Sequence, residues 1–407
     1  MTAQGAADVQ DELRRRLEHG PARPLRPAGE PVYASTALPA FYEQRVFAPA
    51  WSREGRPTAR ATELVAVLEA VGGDGLDPAH YHVAEIRDLA RRGAGDAAAL
   101  ADLDLLASDA FLILAAHLVS GRVDPVTFDG EWIAVRREVD LGLALGRAVD
   151  SEGPRAVLAE LHPDHAAYAR LRAAAAALRS RARAGGWATL PPGDALRPGE
   201  RGDRVEVLRA RLEESPGSLE APAGRDFYDP ALEEAVRAFQ ARHGLTADAV
   251  VGAKTLEALN VPADERVRQI ELNLERWRWL PQDLGRRHVL VNVPAFTVAL
   301  IEDDRTRLEM RAAVGRNYRR TPVFSDSIRY LVLNPFWEVP HRLAVQDKLP
   351  EIRKDPTYLS RQGFSVYRGW GADEVEVDPA TVDWQALSAD RFPFRLRQSP
   401  GPLNALG

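Results

Sequence analysis

The sequence predicts an α+β protein of several domains, helical at first and β-rich at the end. The chain has 407 residues, too many for one ordinary hydrophobic core, and 45% of them are hydrophobic, which suffices for several cores. Up to about residue 287 the apolar residues recur at helical spacing. Beyond that point they alternate with polar residues, as in strands with one buried face. We therefore expect two or three domains.

Residues 1–30 contain breaks that interrupt regular structure, namely Pro21, Pro24, Pro27 and Gly29. One short charged helix fits before the first of these prolines. We predict that this segment is a disordered lead-in that tethers the rest of the chain.

Residues 31–190 are rich in Ala, Leu and Arg and show helical apolar spacing, for example at 62–68 and 104–120. Gly and Pro end the helices in the motifs DGLDP (74–78) and GRVDP (121–125). The most apolar stretch, 103–119, is interrupted by Asp104 and Asp109, which favours a buried helix over a membrane span. This region is predicted to be an all-helical domain, and we expect no transmembrane segment.

Residues 196–262 predict three short helices. Asp203 with Glu206 three residues later is typical of a capping box at the first helix. Asp229 can cap the second helix, with Pro230 at its first position and Gly244 at its end. The third covers 254–259, and a connecting helix is expected within 263–287. Such short helices indicate a small bundle.

Residues 288–407 alternate in the manner of strands at 289–293, 298–301, 308–314 and 328–333. The polar run EDDRT at 302–306 predicts a hairpin turn. The final residues, SPGPLNALG, lead towards a further element, so the predicted sheet looks unfinished.

Composition excludes several function classes. A net charge of −6, from 53 basic and 59 acidic residues, argues against a nucleic-acid partner. The absence of cysteine rules out disulfides, thiolate zinc sites and a thiol nucleophile in these 407 residues. The first twenty residues lack the apolar run of a secretory signal peptide, so export is not encoded in the sequence as given.

Three sets of motifs occur in an order that is far more specific than any one of them. The helical region has LPAFYE (38–43), PAW (49–51), DGLDP and GRVDP. The bundle has AVRAFQARHGL (235–245), then Asp248, VVG (250–252), Thr255 and ALN (258–260). The last region has NLERWRW (273–279), VNVPAF (291–296), TPVF (321–324), NPFWEVP (334–340) and RQSPGPLNALG (397–407).

Together these motifs resemble the large multidomain L,D-transpeptidases of bacterial cell-wall synthesis. The resemblance implies a helical scaffold domain, a peptidoglycan-binding bundle and the N-terminal part of a YkuD-type catalytic domain. It also implies 3→3 peptidoglycan cross-linking through a cysteine acyl-enzyme, in the cell envelope or periplasm. The implied partners are peptidoglycan, both stem peptides and glycan strands, and other cell-wall enzymes. Ala249 stands where the family has glycine in its D-G-x-x-G turn, which puts that turn in question.

In the family the final motif leads into a histidine strand and a Ser-His-Gly-Cys loop, and this chain has neither. We expect a C-terminally truncated member, inactive as given, with no catalytic residue to transfer. A serine-type pair from Ser325, Ser327 or Ser399 with His288 or His341 lacks a nucleophile-elbow pattern. The alternatives are a non-catalytic peptidoglycan-binding scaffold protein, and an unrelated cytoplasmic helical protein that would leave the motif order unexplained.

Two groups of residues are candidates for ligand contact. Asn334, Trp337, Arg397 and Asn404 combine amide, indole and guanidinium groups suited to a peptide with a free carboxylate, and are predicted to line a half-built substrate cleft. Their alternative role is loop packing. Arg204, Gln240 and Arg242 are predicted to be exposed on the bundle and to touch glycan, the alternative being a solvated helix face. Phe239 falls on the apolar stripe and is assigned to the core.

We expect no metal and no organic cofactor. The histidines at close spacing, His80 with His82 and His162 with His165, have no third ligand in a recognised pattern. They are interpreted as helix-end or surface histidines.

Overall fold

The structure is a computed structural model that describes residues 4–18, 24–128, 130, 132–134, 136–213, 224–316 and 319–406. Contacts divide the chain into two compact units, Met1–Ser325 and Asp326–Gly407. The helices come first and the sheets last, so the predicted α+β class is confirmed.

The first unit holds most of the helices. Those of the N-terminal helical region are α1 Gln4–Leu17, α2 Ala37–Gln44, α3 Ala59–Glu69, α4 Val83–Arg92, α5 Ala97–Ser120, α6 Leu141–Asp150, α7 Pro154–Glu160 and α8 Ala166–Arg183, with the small hairpin β1 Ser52–Arg53 and β2 Arg56–Pro57. They are followed by α9 Asp203–Glu213, α10 Pro230–Arg242, α11 Ala253–Asn260 and α12 Ala263–Arg278, then by the strands β3 Arg287–Asn292, β4 Thr297–Glu302 and β5 Arg305–Arg311.

Helix α5 lies at the centre of the N-terminal core and contacts α1, α2, α4 and α6. Its length and composition would allow it to cross a membrane, but 78% of its most apolar window is buried among neighbouring helices, as in a core helix. The two acids within it are satisfied by hydrogen bonds. Asp104 accepts the Trp51 N–H at 2.9 Å and the Ser52 hydroxyl at 2.8 Å, and Asp109 accepts the Ala34 N–H at 2.7 Å.

The predicted lead-in differs from the structure over residues 4–18. The expected short helix is present as α1, but it is not a free tether, because Val9 and Leu13 are buried against the same core as α5. Two apolar positions one helical turn apart are enough to dock a charged helix. Residues 1–3 and 19–23 lie outside the described part of the chain.

The three-helix bundle forms around its own core of Leu208, Leu232, Val236 and Phe239, as predicted for Phe239. Asp229 caps α10 by accepting the Leu232 N–H, with Pro230 at the first helical position, and Gly244 follows the helix end at φ +65°. The predicted capping box is wrong. Helix α9 begins at Asp203 itself, so Asp203 and Glu206 both lie in its first turn. Their negative charges interact favourably there with the positive end of the helix dipole.

Helix α12 connects the bundle to the strands and packs on the helical region. Glu275 accepts the backbone N–H groups of Arg122 at 2.6 Å and Val123 at 3.1 Å, and the Trp279 indole N–H at 3.0 Å. Arg278 donates to the Asp74 carbonyl at 2.9 Å. Two loop motifs of the helical region thus meet the NLERWRW motif, although some 150 to 200 residues separate them in sequence.

Strands β3, β4 and β5 form an antiparallel sheet in that order. The predicted hairpin turn is confirmed: Asp303 and Asp304 lie between β4 and β5 with φ +50° and +59°. A two-residue turn of this hand matches the twist of the flanking strands, and aspartate tolerates it.

The second unit contains β6 Trp337–Glu338, α13 His341–Leu343, a π-helical turn Ala344–Lys348, α14 Leu349–Lys354, α15 Tyr358–Arg361, β7 Phe364–Arg368, β8 Val375–Val377 and β9 Phe394–Gln398. Its sheet has the order β6-β9-β7-β8 and is antiparallel. The inner face, which includes Val366 and Leu396, covers a core shared with Leu349 and Ile352. The outer face carries Tyr367, Arg395 and Arg397.

The strand predicted at 328–333 is absent. Ile328, Leu331 and Leu333 are exposed, and within the described chain no strand pairs with this segment. Alternation alone does not make a strand, because the backbone groups need a hydrogen-bonding neighbour.

Candidate functional site

The bundle contains a buried polar cluster built on Gln240, near the end of α10. Its side-chain amide donates to the Asp248 carboxylate at 2.9 Å, the Val250 carbonyl at 3.0 Å and the Thr255 hydroxyl at 3.2 Å. Its side-chain oxygen accepts the Ala249 N–H at 2.9 Å. Only 1% of Gln240 is exposed, so the prediction that it is exposed is wrong. The side chain binds the turn between α10 and α11, which sequence spacing could not show.

That turn keeps its tight geometry although the glycine typical of the family is replaced. Ala249 is fully buried at φ +62°, a left-handed conformation that L-residues adopt at a cost. The Tyr228 hydroxyl donates to its carbonyl at 2.7 Å, opposite the bond from its N–H to Gln240. Both of its backbone polar groups are thus held by side chains.

The two arginines predicted on the bundle surface occupy different surroundings. Arg204 donates to the Pro191 carbonyl at 3.1 Å and the Asp194 carbonyl at 2.6 Å, so it ties the incoming loop to α9. Arg242 is exposed in the last turn of α10. It is the better placed of the two to meet a ligand.

In the second unit, Trp337 lies on the inner side of the sheet next to Lys348. The ammonium group lies 5.5 Å from the Trp337 ring, 5.4 Å from the Phe364 ring and 5.9 Å from the Tyr358 ring, and it donates to the Tyr358 hydroxyl at 3.3 Å. Three ring faces around one cation stabilise it electrostatically. Lys348 ends the π-helical turn, a type of irregularity frequent at functional sites.

Arg397 belongs to a network of two arginines and two glutamates on the outer face. It donates to both Glu374 oxygens at 2.9 Å and also to Glu338, while Arg395 donates to Glu374 at 2.6 Å and Glu338 at 2.9 Å. Hydrogen bonds from Arg397 and Arg395 hold the pKa of Glu374 below its usual range. A ligand carboxylate would have to replace one of these glutamates at Arg397.

Asn404 is buried and secures the end of the described chain. Its amide N–H groups donate to the carbonyls of Pro335 at 3.0 Å and Ser399 at 3.1 Å, and its oxygen accepts the Leu406 N–H at 2.7 Å. Asn334, next to Pro335, is exposed with φ +49°. The Asn404 side chain thus brings the loop of Asn334 to the end of β9.

The four predicted cleft residues therefore do not share one surface. Trp337 is paired with Gln398 across the sheet, and Glu338 with Arg397. Because neighbouring residues of a strand point to opposite faces, Trp337 is on the inner side and Arg397 on the outer. Asn334, Trp337 and Asn404 lie near one another, and Arg397 lies across the sheet from them.

The other chemical candidates have structural partners. His82 contacts Asp109 at 3.0 Å in the core, His162 contacts Asp74 at 3.1 Å, and the His165 Nε2 contacts the Pro281 carbonyl at 3.0 Å. Within the described residues no group of three or more His, Asp or Glu side chains is placed to hold a metal ion. His288 donates to the Gly285 carbonyl and His341 packs on Phe392.

Lys348, Glu338 and Glu374 were not among the residues that the sequence motifs predicted for the site. Glu338 could have been found from the sequence. Arg395 and Arg397 are two residues apart, which places both on one face of a strand, and Glu338 lies within the motif NPFWEVP. Glu374 carries no such signal, because it reaches Arg397 from a loop 23 residues away.

Comparison with protein families confirms the resemblance that the motifs predict. A family model described as "Scaffold domain" matches residues 36–174, and one described as "Putative peptidoglycan binding domain" matches 201–259. A third, described as "L,D-transpeptidase catalytic domain", matches 286–399.

A relative from Haemophilus influenzae, described as "Putative L,D-transpeptidase", is 35% identical over 140 residues. The match covers 34% of this chain and 27% of that protein. The chain thus spans about a quarter of the length of this relative.

Proposed function

We propose that this protein acts in peptidoglycan cross-linking, as an L,D-transpeptidase-type protein that binds peptidoglycan through its three-helix bundle. The order of the matches to a scaffold domain, a peptidoglycan-binding domain and an L,D-transpeptidase catalytic domain supports this role. A cell envelope or periplasmic location, and contact with other cell-wall enzymes, are part of the same proposal.

The chemistry of 3→3 cross-linking requires attack on an amide carbonyl, an acyl-enzyme and transfer to an amine. The 407 residues include no cysteine, so a cysteine acyl-enzyme cannot form on any of them. In this proposal they supply binding and support, and the thiol of that chemistry would come from outside them. The second candidate, a non-catalytic peptidoglycan-binding scaffold, is favoured by the same absence of a thiol.

For substrate contact we retain Asn334, exposed in the loop before β6, and Trp337, half-buried on the inner side of the second unit's sheet. Asn404 acts there by holding the Asn334 loop. Arg397 can take a stem-peptide carboxylate only by releasing Glu338 or Glu374. A Glu374→Gln variant should therefore bind a carboxylate-bearing stem peptide more tightly than the unmodified chain. Equal affinity in calorimetry would remove Arg397 from the site.

Bundle binding is tested by pelleting the 407-residue chain with purified sacculi. We expect the protein to sediment with sacculi, and Arg242→Ala to reduce the pelleted fraction. Arg170→Ala, an exposed arginine on α8, is the matched control. If the folded chain stays in the supernatant, the binding role is lost; if both variants pellet equally, Arg242 is not the contact.

Acylation is tested by mass spectrometry of the intact chain after incubation with a carbapenem. We expect an unchanged mass, because the thiol is lacking. A covalent adduct on the 407 residues would contradict the cysteine argument and would point to one of the serines.

A further inference from the structure

The outer face of the second unit's sheet presents an aromatic side chain that the proposed function does not use. Trp370, in the loop between β7 and β8, is 71% exposed. A single exposed aromatic is common on protein surfaces. Trp370 differs from the others because charged neighbours hold its ring in place.

Trp370 is fixed from two sides. The Arg395 guanidinium lies 3.7 Å from the centre of its ring and is only 12% exposed. The residues on either side, Gly369 and Gly371, have φ +79° and +60°, and a Cβ at Gly369 would lie 2.3 Å from the Asp373 carbonyl oxygen. Arg395 also donates to the Gly369 carbonyl at 3.1 Å, so the stacked cation and the loop hold each other. Little side-chain entropy remains to be lost when a ligand binds.

The polar groups beside the ring are balanced in charge. Arg395 and Arg397 are matched by Glu338 and Glu374, and Arg397 in turn lies 4.4 Å from the Tyr367 ring. Both glutamates remain partly exposed and can accept further hydrogen bonds. The four charges of this network therefore cancel, and Glu376, which lies opposite Tyr367 across β7 and β8, adds an exposed carboxylate to the same face. The surface combines an exposed ring with fixed hydrogen-bond acceptors and disfavours an anion.

We propose that Trp370 and the Arg395–Arg397–Glu338–Glu374 network form a binding site for a neutral saccharide, a pyranose of an N-acetylated amino-sugar chain. The C–H face of a pyranose is apolar with slightly positive hydrogens, and packs on the negative face of an indole. Its hydroxyl and amide N–H groups would donate to Glu338 and Glu374. The site rests on the proposed function, in that such a chain is the glycan of peptidoglycan, and it adds a second contact apart from the bundle.

Two other uses of this face fit less well. A stem-peptide carboxylate or other anion meets two glutamates that already occupy the arginines. A protein partner would usually bury a wider apolar area than one indole with Tyr367 half-covered by Arg397.

The test is titration of the full chain with an oligomer of β-1,4-linked N-acetylglucosamine, which carries no peptide. Indole N–H signals are followed by NMR in protein labelled at tryptophan, with the Trp370 signal identified by its loss in Trp370→Leu. We expect the Trp370 signal to shift, and calorimetry to show at least a tenfold loss of affinity at this site in Trp370→Leu. Trp370→Tyr should restore part of it. The matched control is Tyr330→Leu, an equally exposed aromatic away from the network, which should bind normally.

An unshifted Trp370 signal at saturating oligomer, or an unchanged affinity in Trp370→Leu, overturns the site. Self-association that depends on Trp370, measured by sedimentation, would also overturn it and assign the face to a protein contact. The Trp187 signal reports separately on the bundle, because its ring lies 4.0 Å from the Arg211 guanidinium of α9. Pelleting with sacculi without a Trp370 shift would reject this site and leave the proposed function standing. A Trp370 shift without pelleting would support the saccharide site and reject peptidoglycan binding by the protein.

Discussion

The side-chain oxygen of Gln240 accepts the backbone N–H of Ala249 at 2.9 Å, and this bond holds a non-glycine residue at φ +62°. The same amide group donates to three acceptors across the turn. The turn that joins the last two bundle helices therefore depends on one side chain from the preceding helix.

Removing that side chain should destabilise the bundle. In Gln240→Ala the buried Ala249 N–H loses its partner, which costs about 2 kcal/mol of unfolding free energy. Arg242→Ala, two residues further along the helix and exposed, should change it by less than about 0.5 kcal/mol. Denaturant unfolding followed by circular dichroism measures both. Equal effects of the two substitutions would show that Gln240 does not hold the turn.

Ala249 itself should accept glycine but no larger residue. Ala249→Gly relieves left-handed strain, loses a buried methyl group and frees the unfolded chain, so the net change should stay within about 1 kcal/mol. Ala249→Val adds a β-branched side chain at positive φ in a fully buried position, and should cost at least about 2 kcal/mol. Thermal denaturation of the two variants compares them directly, and a tolerated valine would show that the turn is not constrained as described.

Local chemistry made much of the fold predictable. Asp229 followed by Pro230 begins α10, and the aspartates at 303 and 304 make the hairpin turn, because each motif acts through its own backbone. Helical spacing located the segments of α5, α10 and α11, and the motif order identified the three domain types.

Contacts between distant residues were not predictable. The burial of Gln240 depends on a turn that folds back onto its helix, and Arg397 is occupied by Glu338 from 59 residues away. Two apolar residues of α1, Val9 and Leu13, are buried in the core, and so short a pattern did not predict that the helix packs against α5. The segment at 328–333 had the correct alternation, but strand formation needs a partner that a single segment cannot reveal.

Gly121 should be intolerant of any side chain. It lies at φ +78° where α5 meets α12, and an added Cβ would lie 2.5 Å from both the Glu275 carboxylate and the Trp279 indole nitrogen. Gly121→Ala should cost at least about 2 kcal/mol, because it combines overpacking with backbone strain. Gly146→Ala is the matched control, since this glycine is inside α6 with open space around it. That substitution should stabilise by about 0.5 to 1 kcal/mol.

Opposite signs for these two glycine substitutions, measured by denaturant unfolding, would support the close packing of α12 on the helical region. If Gly121→Ala leaves the unfolding free energy unchanged, the contact between the GRVDP motif and Glu275 is not closely packed.

Stability should fall with acid through His117, in the last turn of α5. Burial lowers the pKa of His117 to about 4, and a hydrogen bond of 2.9 Å joins its Nδ1 to the Tyr81 hydroxyl oxygen. The unfolded chain takes up this proton near pH 6.5 and the folded chain only near pH 4. Below pH 6.5 the unfolded state therefore binds more protons, and stability is lost as the pH falls to about 4. Once the pH is below about 4, the separation between 6.5 and about 4 corresponds to a loss of roughly 3 kcal/mol.

Asp104 acts in the opposite direction, so the histidine has to be isolated by substitution. Burial raises the pKa of Asp104 to about 6, above its ordinary value of 3.8, and this group favours the folded state at low pH and loses that effect as the pH rises through about 6. The dependence of unfolding free energy on pH is thus shallower in the unmodified protein than either group alone predicts.

His117→Gln keeps a side-chain amide that can hydrogen-bond to Tyr81 but does not titrate. The gap in unfolding free energy between the unmodified protein and this variant should change between pH 7.5 and pH 4.5, with the unmodified protein losing more. Denaturant unfolding at both pH values measures that gap, and a constant gap would show that His117 is not kept neutral by burial.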